Sequence, residues 1–117
     1  MTIAEFIATV HAEASTLAFV SDVLLLDQTD YAAKVHLVIR PDLFVQVYAN
    51  VSSGTRGFAL IYRGQRIYGR DCDVHGWHRH PPDNPQSHDV SQEGRRAVEL
   101  VEFLREVQDV LEQEELL

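Results

Sequence analysis

Lys34-Val35-His36-Leu37-Val38-Ile39-Arg40-Pro41-Asp42-Leu43-Phe44-Val45-Gln46-Val47-Tyr48 reads as two β-strands around a turn. Apolar side chains recur at every second position on both sides of Arg40-Pro41-Asp42, the period of a strand with one covered face. Cross-strand partners share a face, so the register can be tested on paper. A three-residue loop, Arg40-Pro41-Asp42, sets Ile39 against Leu43, Leu37 against Val45 and Val35 against Val47. On the other face it sets Val38 against Phe44, His36 against Gln46 and Lys34 against Tyr48. A two-residue loop mixes the faces. The stretch therefore predicts an antiparallel hairpin with one apolar side and one polar side.

Alternation extends outward from this hairpin and predicts five strands, 20–27, 34–40, 43–51, 57–63 and 66–71, in a meander. Gly64-Gln65 suits a two-residue type II′ turn, with glycine first where φ must be positive. That turn pairs Tyr62 with Ile67 and Leu60 with Gly69 on one face. On the other it pairs Arg63 with Arg66, Ile61 with Tyr68 and Ala59 with Arg70. One face of the sheet then carries Val35, Leu37, Ile39, Leu43, Val45, Val47, Phe58, Leu60, Tyr62 and Ile67. The other carries Lys34, His36, Arg40, Gln46, Tyr48, Arg63, Arg66, Tyr68 and Arg70.

Helical periods bound the sheet at both ends. Thr2 and Glu5 form a capping box ahead of Ile3, Phe6, Ile7, Val10, Ala14, Leu17 and Ala18, so a helix is predicted over 3–18. Ser91 can cap a second helix over 92–113, with Ala97, Leu100, Val101, Leu104, Val107 and Leu111 as its buried stripe. The expected fold is α+β: a single domain over 1–117, with an antiparallel sheet of about five strands and both helices on its apolar face.

The net charge of −8 is distributed unevenly. Residues 1–32 hold five acids and no Lys or Arg, residues 33–70 have a balance of +5, and residues 71–117 one of −8. A basic sheet face with interspersed aromatics can hold phosphates by charge and bases by stacking, which makes Lys34, Arg40, Arg63, Arg66 and Tyr68 candidate RNA contacts. An antiparallel sheet can equally leave a polar face in water. One cysteine permits no internal disulfide, no run approaches the ~20 apolar residues of a membrane span, and the N-terminus lacks a basic signal-peptide start. A cytoplasmic protein is expected, with no membrane partner and with homo-oligomers allowed.

Residues 72–90 are expected to form a His/Pro-rich loop, since Gly76, Pro81, Pro82 and Pro85 exclude one continuous element. Around it stand Arg70, Asp71, Cys72, Asp73, His75, His78, His80 and His88. Three readings are open. Two of the histidines can act as general base and acid on an RNA 2′-hydroxyl, with Arg70 stabilising the phosphate; His78 and His80 lead, and His75 and His88 are alternates. His75, His78, His80 and His88 with Asp71 or Asp73 can instead hold a divalent metal, the one cofactor considered, and Cys72 can join them or serve as a structural thiol. The histidines can also be solvated, or anchor the loop to the body.

Tyr62-Arg63-Gly64, Tyr68-Gly69-Arg70-Asp71, His75, His78, His80-Pro81 and His88, followed by an amphipathic C-terminal helix, resemble the TumE family of toxin–antitoxin proteins. The layout agrees over most of the chain and the motif over about residues 62–90; in place of that family's usual denser His-His-x-His run, only His88 remains. The resemblance implies a toxin-like protein acting on RNA as a ribonuclease, encoded beside a cognate helix-turn-helix antitoxin. The alternative is a non-catalytic module whose basic face docks an acidic protein.

Overall fold

A computed structural model describes residues 1–117 as a six-stranded antiparallel meander with two helices on one face. The order is α1 (Ile3–Ala14), β1 (Asp22–Gln28), β2 (Ala32–Arg40), β3 (Leu43–Asn50), β4 (Thr55–Tyr62), β5 (Gln65–Asp73), β6 (Gly76–His80) and α2 (Leu100–Gln113). Ile3, Phe6, Val10 and Ala14 of α1, and Phe103, Leu104, Val107 and Leu111 of α2, bury against Val35, Leu37, Val45, Val47, Phe58 and Leu60. Burying each large side chain of this set contributes roughly 1.5–3 kcal/mol. No helix is long and apolar enough to cross a membrane.

Helix α1 begins as expected, with Thr2 Oγ1 accepting a hydrogen bond from the Glu5 amide at 3.1 Å. It stops at Ala14 rather than at 18. The hydroxyls of Ser15 and Thr16 donate back to the carbonyls of Ala12 and Glu13, an alternative to helical continuation.

The β2–β3 register is the predicted one at Val35–Val47, Leu37–Val45 and Val38–Phe44. The turn differs. A bulge after Val38 sets Arg40 opposite Leu43, so the loop is the pair Pro41–Asp42 and Arg40 swings to the helix side. There Arg40 donates to the Leu116 carbonyl at 3.0 Å and pairs with Asp42.

A larger departure lies at β4–β5. The turn is Arg63-Gly64, both with positive φ (50° and 79°), as in a type I′ turn, and not Gly64-Gln65. A bulge at Ile67 follows, so Leu60 faces Tyr68, Ala59 faces Gly69 and Phe58 faces Arg70. A one-residue shift exchanges the faces. Tyr68 and Arg70 therefore lie under the helices, while Gly69 and Asp71 lie on the open side, the reverse of the sequence expectation.

The stretch 72–90 is not all loop. Val74-His75 closes a tight hairpin from β5 into β6, helped by Gly76 at φ 93° and by the Asp73 carboxylate accepting from the His75 amide. The second helix starts at Leu100 rather than at 92. Residues 91–96 form turns and bends instead, held by Asp89 Oδ1 accepting from the Ser91 amide and by Arg70 donating to the Glu93 carbonyl, and 97–99 are irregular. Gly94 is obligatory there, because a Cβ would lie 2.0 Å from the Asp89 carbonyl oxygen.

Candidate functional site

Strand parity assembles the site. On β6, His78 and His80 are two apart and so share the open face, whereas Trp77 and Arg79 point to the helix side. Arg79 and Asp89 exchange backbone hydrogen bonds at 3.2 and 2.7 Å, and their side chains pair at 2.9 Å. That short bridge brings His88, one residue before Asp89, alongside His78 and His80. The three ring centroids lie 4.8–5.1 Å apart.

These rings form one wall of a groove of about 660 Å³ on the open side of the sheet. Its floor includes Gly57, Ala59 and Ile61, and Lys34, Gln46, Tyr48, Arg66, Asp71 and Asp73 also line it. Small residues keep the floor low next to the rings: a Cβ at Gly69 would sit 3.1 Å from Arg66 Cδ and 3.6 Å from His80 Cδ2.

Asp71 is the hub of the polar contacts. Its Oδ2 accepts from Arg66 at 3.0 Å and lies 3.2 Å from His80 Nε2 and 3.6 Å from His78 Nε2. His80 is 4% exposed, and its Nδ1 donates to the Pro85 carbonyl at 3.0 Å, which fixes the ring. Burial pushes the His80 pKa below its usual value, with the Pro85 hydrogen bond and Asp71 opposing and Arg66 and His78 assisting. His78 is mostly covered, and His88 is exposed.

Other expected residues lie elsewhere. Arg70 has no exposed surface; it donates to both carboxylate oxygens of Glu106, to the Glu93 carboxylate and to the Glu93 carbonyl, at 2.8–3.1 Å. Burial opposes its charge, but the hydrogen bonds it donates to Glu106 and Glu93 outweigh this and raise its pKa further. Tyr68 donates to Glu106 at 2.8 Å, and burial with that contact pushes its phenol up to about 12. Neither can meet a ligand in the groove, so the β4–β5 bulge removes both from the expected basic face. Arg40 and Arg63 pair with Asp42 at the turns, and Arg63 stacks on Tyr62 at 4.9 Å. His75 is exposed in the β5–β6 turn and does not line the groove. Cys72 packs on the Trp77 side, and burial raises its thiol pKa, assisted by Asp73.

Of the expected RNA contacts, Lys34 and Arg66 face the groove, and the face is not free of acids, since Asp71 and Asp73 line it too. Glu93 and Glu106 as partners of Arg70, and Pro85 as the anchor of His80, have no sequence signal, because each contact joins distant or irregular segments. The alternation His78-x-His80 was the available sign of a sixth strand. Comparison with protein-family models, with curated proteins and with solved structures gives no match.

Proposed function

We propose that this chain is a toxin-like ribonuclease that cleaves RNA by histidine acid–base chemistry in the open groove. The observation that carries this reading is the convergence of three imidazoles, Lys34 and Arg66 on one 660 Å³ cavity with a low floor. His88, exposed at the mouth, takes the proton of an RNA 2′-hydroxyl. The 2′-oxygen attacks the adjacent phosphorus, and the bond to the 5′-oxygen breaks. His78, oriented by Asp71, returns a proton to that oxygen, leaving a 2′,3′-cyclic phosphate and a 5′-hydroxyl. Arg66 and Lys34 stabilise the charge on the non-bridging oxygens. His80, with one ring nitrogen on Pro85 and the other facing Asp71, is a positioning residue here.

The resemblance to TumE proteins supports the same reading and implies a helix-turn-helix antitoxin as the cognate partner. An acidic protein partner needs a broad positive field, and with Arg70 buried and Arg40 on the helix side the open face does not present one. A catalytic site needs only the scissile phosphate and a neighbour to be held. Incubating the protein with structured and single-stranded RNA, with and without ribosomes, tests the reading. Cleavage products ending in cyclic phosphate are expected from the wild type and not from H88A. Wild-type protein that neither binds nor cuts any of these RNAs overturns it.

A further inference from the structure

We infer that His78, His80 and His88 form a seat for one first-row transition-metal dication of the zinc class, with Asp71 against two of the rings. This goes beyond the ribonuclease reading: a ring nitrogen cannot hold a metal and transfer a proton at once, so a bound ion would leave the groove without its acid and base.

The first ground is convergence. Two chain segments, β6 and the strand-like residues at Asp89, bring the three rings together, and each offers a ring nitrogen within 4.8 Å of the others. Tetrahedral zinc with bonds of about 2.0–2.1 Å needs nitrogens about 3.3–3.4 Å apart. Reaching that spacing takes rotation of the rings, and His88, the exposed one, is the freest to turn.

The second ground is the orientation of His80. A carbonyl oxygen only accepts, so the 3.0 Å contact to Pro85 places a proton on Nδ1. The other ring nitrogen, Nε2, lies 3.2 Å from Asp71 Oδ2, an oxygen that Arg66 also holds at 3.0 Å. With Nδ1 tied to the carbonyl, Nε2 is the nitrogen left to ligate a cation. A backbone carbonyl holding the far nitrogen is also the usual support of a metal-bound histidine, because it fixes the tautomer and the ring plane.

The donor set selects the ion. Three imidazoles and one carboxylate suit zinc and its neighbours, whereas calcium and magnesium prefer all-oxygen shells. Cys72 borders the groove, but it pairs with Trp77 on the helix-side parity and stands outside the cluster of converging nitrogens. His75 is excluded by its place in the hairpin turn.

The test uses the full chain, treated with chelator and dialysed, and the metal alone as probe. Calorimetry with zinc should show one ion per chain, and cobalt should give the intense visible bands of a tetrahedral site. H88A, at an exposed position where folding is not at risk, should weaken zinc binding by more than about 100-fold, and D71N by about 10–100-fold. H75A and C72A should leave it unchanged. Protein that takes up neither metal at micromolar concentration, or uptake that survives H88A unaltered, overturns the assignment. None of these readouts involves RNA, so failure of the nuclease reading and failure of the metal seat are distinguishable.

Discussion

Strand β5 sends alternate residues into two polar clusters on opposite faces of the sheet, and the clusters differ in how completely they are closed. Under α2, Arg70 is wholly buried and makes four hydrogen bonds, while Tyr68 and Arg96 tie in the same pair of carboxylates from Glu93 and Glu106. On the open side, Arg66 and Asp71 meet three imidazoles at the wall of a cavity, and His88 is left in solvent. A saturated network holds the chain together and has nothing left to offer a ligand. An unsaturated one can do chemistry. A polar cluster is therefore assigned a role by which of its lone pairs and protons remain unspent, rather than by its residue types.

The comparison is easiest to break by removing one member from each side. On the groove side, H88A should lower the rate of RNA cleavage by about 10²–10⁴-fold while leaving the unfolding midpoint in urea nearly unchanged. A fall in stability with cleavage intact would make His88 a structural residue. On the helix side, R70M should reverse that pattern, with a stability loss of about 3–5 kcal/mol, because partly buried Glu106 loses its two short bonds to Arg70 and keeps only Arg96, at 3.7 Å, as a cation. Replacing Arg70 and Glu106 together by apolar residues should recover much of the loss. A loss for R70M under about 1 kcal/mol would show that water reaches the cluster, and the contrast between the faces would fail.

A finer test asks how much charge the groove presents. With Lys34 and Arg66 as its phosphate contacts, the logarithm of RNA affinity should fall against the logarithm of salt with a slope of about −1.4, the value for two phosphates on a single strand. R66Q should reduce the slope by about 0.7. A slope several times steeper would mean that Arg40, Arg63 and other surface cations form a larger interface than the groove.

The hairpin at residues 34–48 was legible away from its turn, because its two faces differ in polarity from Lys34 to His36 and any slip would bury one of them; beside the turn, where Val38 meets Phe44, the contrast fades and the Arg40 bulge left no mark. Residues 57–71 were not. Their strands carry apolar side chains on both faces near the turn, Ile61 and Tyr62 on one side and Ile67 and Tyr68 on the other, so two registers score alike on polarity. The one that forms needs Arg63 in a left-handed conformation, which turn preferences give mainly to Gly, Asn and Asp. That single bulge decides whether Arg70 is a groove residue or the centre of the core. The histidines were legible as a cluster because they crowd one stretch. Which of them converge depends on the Arg79–Asp89 bridge and the Pro85 carbonyl, and neither leaves a mark on spacing.

The smallest effect expected separates the clusters by pH. Hydrogen bonds from Arg96 and then Arg70 lower the Glu93 pKa to about 2, from an ordinary value of 4.5. Above pH 4.5 the unfolded and folded chains both hold this group ionised, and its stabilising contribution is complete. As the pH falls from 4.5 toward 2 the unfolded chain takes up the proton first, so stability is lost across that window. Tyr68 works in the opposite direction. Its phenol is raised from 10 to about 12, so its contribution is complete below pH 10 and is lost as the pH rises from 10 toward 12. The Arg70 cluster should therefore give a stability plateau with one acid and one alkaline limb. Urea unfolding across the pH range checks this, with E93Q expected to flatten the acid limb and Y68F the alkaline one. If Y68F keeps the wild-type alkaline limb, Tyr68 is not held by Glu106 in solution, and the helix-side network is as open as the groove it is contrasted with.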